Sequence, residues 1–360
     1  LTCRSSVSFF GFCLYSIEAE KLLSLPTALK SMEHPPLLKS IFEIDSEEEF
    51  NQSALAIYAF QFRNNPIYNQ YCKALGHNET PPSHYSEIPF LPVEFFKNHT
   101  ILCSAEIPNL VFSSSGTTGV QTSRHYIHDP QIYRSSFSRA FQRYFGNPSD
   151  YHILALLPSY LERKGSSLIY MVNELIADSQ SRHSGFYIHE LKDLQQKIIA
   201  LHDNPRKILL LGVSFALLDM AEQFPVQHPR LLIMETGGMK GKRKELVRSE
   251  LHQILKNAFQ VEQIASEYGM TELLSQAYSL GNGLFKTPPW MKILTRETSD
   301  PLSLNSYHQT GGINVIDLAN MYSCSFIATQ DLGKVFPDES FEISGRFDHS
   351  DTRGCNLLIT

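Results

Sequence analysis

Tryptophan occurs once in the 360 residues, and the six cysteines form no C-x-x-C pair. No Cys/His spacing matches a zinc site, so a zinc-organised scaffold is excluded. Thiols scattered as Cys3, Cys13, Cys72, Cys103, Cys324 and Cys355 suit a reducing cytoplasm better than a disulfide framework. Positive charge is also scarce: 31 Lys and Arg stand against 37 Asp and Glu, a formal net charge of −6. That argues against nucleic acid as the main partner, because binding a phosphate backbone needs clustered cations. The one basic run, KGKRKE at 240–245, reads as a solvated helix start. No apolar run reaches the length of a bilayer span. There is no internal repeat and no low-complexity tract.

What is present is ordinary for a globular protein: 42% hydrophobic and 19% charged residues, enough chain for one large domain or two smaller ones. The sequence opens on Leu1 rather than Met, and no small-x-small cleavage site follows its apolar start. Met32 is read as the natural start, with 1–31 as upstream sequence. From Met32 to Lys97 the apolar spacing is helical, ending in IPFLPVEFFK, where Pro89 and Pro92 forbid a regular helix.

Strand and helix patterns then alternate. YHILALLP, KILLLGV, RLLIMETGG and VEQIASEYG read as strands. SSLIYMVNELIAD, LQQKIIALHD, FALLDMAEQF and KRKELVRSELHQILKNAF read as helices. Such alternation predicts an α/β fold with a largely parallel sheet. After Gly281 short strands joined by Gly, Pro and Asp turns predict a β-rich sector that closes the core.

Four stretches carry chemistry. VFSSSGTTGVQTSRHY packs Ser113, Ser114, Ser115, Gly116, Thr117, Thr118 and Gly119 directly after an apolar run. Backbone N–H groups in a glycine-rich turn form an anion cradle, and hydroxyls add rotatable donors; a solvent-exposed linker is the plain alternative. No lysine follows either glycine, so this is not a Walker P-loop. SEYGMTE offers Tyr268 as an exposed stacking face, Thr271 for a phosphate and Glu272 for a hard cation such as Mg²⁺. ATQDLG and SGRFDHSDTRGC offer Asp331, Arg346 and Asp348 in polar turns, where a carboxylate suits ribose hydroxyls. Taken singly, the first is as readily a plain linker, SEYGMTE is more simply an ordinary strand–turn–helix, and the last two are more simply polar β-turns.

In this order, with ETGG between them, the stretches resemble the adenylate-forming enzymes, the superfamily of acyl-CoA synthetases and adenylation domains. IPFLPVEFFK, LPSYLERKGSSLIYM, GVSFALL and the terminal RGCNLL are similar to the acyl-protein synthetase (LuxE-type) family, over most of the chain from Met32 onward. The resemblance implies an adenylate-forming large domain with mixed, largely parallel sheets over 32–345, and an arm at 346–360. It implies ATP and Mg²⁺ as cofactors, with residues 113–119 on the β- and γ-phosphates. Gly237 and Gly238 would flank adenine opposite Tyr268, Thr271 would meet the α-phosphate, Glu272 would hold Mg²⁺, and Asp331 with Arg346 would grip the ribose. A fatty or other carboxylic acid would be adenylated, passed to Cys355 as a thioester, and handed to an acceptor protein such as an acyl-protein reductase.

Departures bear on the details. Where the family's phosphate loop closes on a lysine, this sequence has Val120-Gln121-Thr122-Ser123, and the turn before Asp331 is Thr329-Gln330 instead of Thr-Gly. Arg353 and Arg124 are candidates for the missing cation. The sequence ends soon after Asp348, where the superfamily continues into a small C-terminal domain, so that domain is expected to be absent and free CoA a poor acceptor. Arg353, two residues before Cys355, would lower the thiol pKa and raise its nucleophilicity; Cys72 and Cys103 are expected to be structural. Three rivals stand beside this reading: a degenerate nucleotide-binding module, an acyl- or aryl-CoA ligase, and a hydrolase with Ser214 in a near-match to the G-x-S-x-G elbow.

Overall fold

The computed structural model describes residues 41–77, 80–114, 121–158, 165–237, 243 and 246–347, all within one unit of the chain, 37–360. Helix α1 (Glu47–Asn64) starts where the Ser46 hydroxyl accepts from Glu49 N–H, with three glutamates in its first turn opposing the helix dipole. Asn65 ends it and caps α2 (Pro66–Ala74), accepting from Ile67 and Tyr68 N–H at 3.1 Å, with Pro66 preset for the first turn. Strand β1 (Leu91–Pro92) and the single turn α3 (Phe95–Asn98) occupy IPFLPVEFFK, in keeping with its two prolines. Hairpin strands β2 (Val111–Ser113) and β3 (Arg124–Tyr126) pair antiparallel, and α4 (Pro130–Phe145) follows, capped by Asp129.

The α/β core comes next. Strands β4 (Tyr151–Leu156), β5 (Gly185–Phe186), β6 (Lys207–Val213), β7 (Leu231–Thr236), β8 (Ile264–Tyr268) and β9 (Ala277–Ser279) form one sheet in the order β5-β4-β6-β7-β8-β9. All neighbours are parallel except the last pair. Helices α5 (Ser167–Asp178), α6 (Leu191–Ala200), α7 (Ser214–Gln223) and α8 (Arg248–Phe259) supply the crossovers. Every residue of β4, and all of β6 but Lys207, is buried, which is why these strands are continuous apolar runs rather than alternating ones.

The β-rich sector is a second sheet: β10 (Met291–Arg296), β11 (Thr310–Asp317), β12 (Phe326–Val335) and β13 (Phe341–Arg346) pair antiparallel in chain order, with β1 parallel to β12. Helix α1 is tied to it by Gln61, whose amide donates to Asn320 O, Met321 O and Ser325 Oγ and accepts from Ser325 N–H. One expectation fails locally. Arg243 starts no helix: its guanidinium reaches the carboxylates of Asp219 and Glu222 on α7, and α8 begins only at Arg248.

Candidate functional site

Four consecutive parallel strands end at one cavity of about 190 Å³. Leu157 follows β4, Val213 closes β6, Thr236 and Gly237 lie at the end of β7, and Glu267 and Gly269 flank the end of β8; all of these line it. Open α/β sheets collect ligands at the carboxyl ends of their strands, where loops and helix starts converge. Tyr133 of α4, Ile169 and Met171 of α5, and Ser113, Met270, Thr271 and Gln276 complete the walls. Gly237 adopts φ +64°, the left-handed region in which a side chain is strained.

The hairpin brings the hydroxyl-rich segment to this cavity. Ser113 pairs with Arg124 across β2–β3 and lines the cavity. Ser114 is used differently: its N–H donates to Ser123 O at 3.1 Å, and its Oγ accepts from Ser123 N–H at 3.0 Å. Those two bonds close the stem, so Ser114 acts as a clasp. Ser115, Gly116, Thr117, Thr118, Gly119, Gly238, Arg353 and Cys355 lie outside the described residues. Arg124 is exposed.

Thr271 and Glu272 follow β8 in a turn held from behind. His125 Nδ1 lies 2.8 Å from Thr271 O and its Nε2 lies 2.9 Å from Asn320 Oδ1, while Asn320 Nδ2 donates to Glu272 O at 2.8 Å. Burial pushes the His125 pKa down to about 4, against the opposing pull of its two carbonyl neighbours. Asp317 secures the next residues, accepting from the backbone N–H groups of Leu274 and Ser275 and from the Ser275 hydroxyl. Neither His125 nor Asn320 carried a signal in the sequence. Each meets its partner across more than forty intervening residues, and no local pattern marks such a contact.

Glu272 is 6% exposed. Burial raises its pKa above the ordinary carboxylate value, outweighing the Ser123 hydroxyl and the charges of Arg346 and Lys97 that pull it down. Lys97, in the quoted FFK of α3, is a cation near this carboxylate that sequence reasoning passed over. No cluster of three or more His, Cys, Asp or Glu suited to a metal exists among the described residues. One carboxylate still fits Mg²⁺, which keeps much of its water and is bound through one or two carboxylates together with substrate phosphates.

Tyr268 corrects an expectation. It is 9% exposed, and Phe285 and Phe341 pack edge-to-face on its ring. Its hydroxyl donates to Asp331 Oδ2 at 2.8 Å, and Arg346 Nε donates to the other oxygen, Oδ1, at 3.0 Å. Asp331 and Arg346 are direct partners in the β12–β13 register, which fixes their pairing. The three residues expected around a nucleoside therefore meet, but bonded to one another. The tyrosine belongs to the α/β sheet and the other two to the β-rich sheet.

Ser214 does stand at the strand-to-helix turn after β6, but its hydroxyl donates to Gly237 O at 2.8 Å. That bond ties β6 to β7 and leaves the serine without a nucleophile's geometry. Burial pushes the Cys72 thiol up to about 12 and raises Cys103 and Cys324 as well, so none of these three is activated.

No family model matches the chain. Among characterised proteins, the long-chain-fatty-acid–luciferin-component ligase of Vibrio harveyi is 24% identical over 330 residues, covering 84% of this chain and 85% of that one. The chain is a homologue of that ligase. Its fold is that of the large domain of adenylate-forming enzymes. 2-Hydroxyisobutyryl-CoA ligase, solved in the postadenylation state with R3-HIB-AMP, matches with a TM-score of 0.63 at 12% identity, over 84% of this chain and 68% of that one. ATP-bound MatB from Rhodopseudomonas palustris matches at 15% identity and a TM-score of 0.49 over 66% of this chain; the match spans 47% of MatB, about half its length.

Proposed function

We propose that this protein activates a carboxylic acid with ATP, as a fatty acid–protein ligase. Supporting this is the convergence of Ser113, Gly237 and Thr271 on one cavity at the carboxyl ends of the parallel strands, beside Glu272 and the Tyr268–Asp331–Arg346 chain. The acid's carboxylate oxygen attacks the α-phosphorus of ATP, a new P–O bond forms, and pyrophosphate departs with the broken one. Thr271 and Ser113 donate hydrogen bonds to the oxygens on which charge builds. Mg²⁺ on Glu272 would neutralise charge on the departing phosphates. The Cys355 thiolate then attacks the acyl carbonyl, AMP leaves, and a thioester remains on an arm at 346–360 attached to a core at 32–345. A thiol of an acceptor protein, such as an acyl-protein reductase, takes the acyl group from there in the cytoplasm. The Vibrio harveyi homologue, a long-chain-fatty-acid ligase by name, supports a fatty acid as the acid.

The engagement of both Asp331 oxygens favours a second reading, a nucleotide-binding module without ligase activity. One experiment separates the two. The protein is incubated with ATP, Mg²⁺ and a panel of fatty acids, without CoA, and its intact mass is measured beside that of Cys355→Ser. An ATP-dependent, hydroxylamine-labile acyl adduct, absent from the variant, is expected. ATP binding without adduct or pyrophosphate release from any acid would favour the binding module. Pyrophosphate release with thioester formed only on added CoA would identify a CoA ligase.

A further inference from the structure

Arg296 closes β10 and is buried, yet its hydrogen bonds among the described residues all end on neutral oxygens. Nη1 donates to Ile313 O and Asn314 Oδ1, both at 2.8 Å, and Nη2 donates to Thr329 O at 2.6 Å. The side chain therefore crosses β11 to reach β12, a strand with which β10 does not pair. Gly312, its partner in the β10–β11 register, leaves that path open: a Cβ there would lie 2.6 Å from Arg296 Cζ. The β11–β12 register shifts between Gly312 and Asn314. At that irregularity Ile313 O takes both the guanidinium and the Thr329 hydroxyl, the latter at 3.0 Å.

From Thr329 the contacts run on to Asp331, whose backbone N–H donates to Thr329 Oγ1 at 3.1 Å. Phe347 secures the residue between them. Its ring lies 5.6 Å from Arg296 Cζ, and its N–H donates to Gln330 O at 2.8 Å. A buried cation bonded to neutral oxygens is a costly way to stitch strands that backbone bonds already pair. What it adds to that ladder is a planar, preorganised fork on the Thr329 carbonyl. Tyr268 and Arg346 fix the two oxygens of the Asp331 carboxylate, and Arg296 fixes the same residue from its backbone end. We propose that Arg296 is a positioning residue for Asp331: by holding Thr329 it sets the carboxylate where ribose hydroxyls would meet it. This rests on the nucleotide reading of the site.

The test is calorimetric titration of the full chain with ATP and with 2′,3′-dideoxy-ATP, both with Mg²⁺. Wild type is expected to bind ATP at least about tenfold more tightly, the factor that one hydrogen bond to a charged acceptor supplies. Asp331→Ala, the reference, should bind the two alike. Arg296→Met keeps an unbranched stem without donors, and should lose most of the ratio by weakening ATP alone. A role confined to stability would weaken both nucleotides in step. Thr329→Val, close in shape, removes the hydroxyl between Ile313 O and the Asp331 N–H and should act in the same direction; thermal melts show which variants fold. An unchanged ratio in Arg296→Met, or in Thr329→Val should the former not fold, overturns the inference, as does equal weakening of both nucleotides. A wild type that binds both nucleotides alike, or neither, overturns it together with the ribose reading.

Discussion

Glu272 must be ionised to hold a cation, yet burial raises its pKa. At limiting Mg²⁺, pyrophosphate release should therefore weaken as pH falls, beginning above the range where an exposed carboxylate titrates. Glu272→Gln should abolish that acid limb and raise the Mg²⁺ requirement by an order of magnitude or more, read from Mg²⁺ titrations at several pH values. An unchanged acid limb in the variant would assign it to another group. Tyr268→Phe deletes one donor to a carboxylate that is 7% exposed. It should lower unfolding free energy by about 1–2 kcal/mol in urea titrations and raise the KM for ATP. The identity of these residues was legible in SEYGMTE, but their environment was not. Tyr268 is buried by Phe285 and Phe341, which belong to a part of the chain whose packing no local pattern announces.

Among the elements, β4, β6, β7 and β8 were readable because strands covered on both faces become unbroken apolar runs. The backing of the Thr271–Glu272 turn was not readable, since it is assembled from β3, the 3-10 turn Leu318–Asn320 and the end of β11. Two buried groups in that backing oppose each other in acid. His125, held down to about 4 from an ordinary value of 6.5, is less readily protonated in the folded chain. Stability therefore falls as pH drops through this interval. Asp317, pushed up to about 6 from 3.8, takes its proton more readily in the folded chain, so it contributes the reverse slope over nearly the same interval. Asp317→Asn should be less stable throughout, and should also lose stability more steeply than wild type between about pH 6 and 4. Urea midpoints across that range decide it; parallel profiles would refute the opposition.

For the molecule as a whole, three thiols report on global opening. Cys72 and Cys324 are fully buried, and all three described cysteines have raised pKa values. Alkylation at neutral pH should spare Cys72 and Cys324 in the native protein and reach them only in denaturant, at the concentration where tyrosine fluorescence changes. Early labelling of either would reveal a partial opening. Such an opening would have to disturb α1, which Gln61 anchors to the β-rich sheet through four hydrogen bonds.

The contact between Tyr268 and Asp331 joins one sheet to the other at the end of β8, beside the site proposed for a nucleotide. The groups proposed to hold a nucleoside are divided between the two sheets, so a fluctuation that parts them would dismantle that site and break the weld between them in one event. A nucleotide that engages both sides would act as a bolt through that joint. The gain in melting temperature on saturating with ATP should therefore shrink in Tyr268→Phe and Asp331→Ala by more than their loss of affinity alone accounts for.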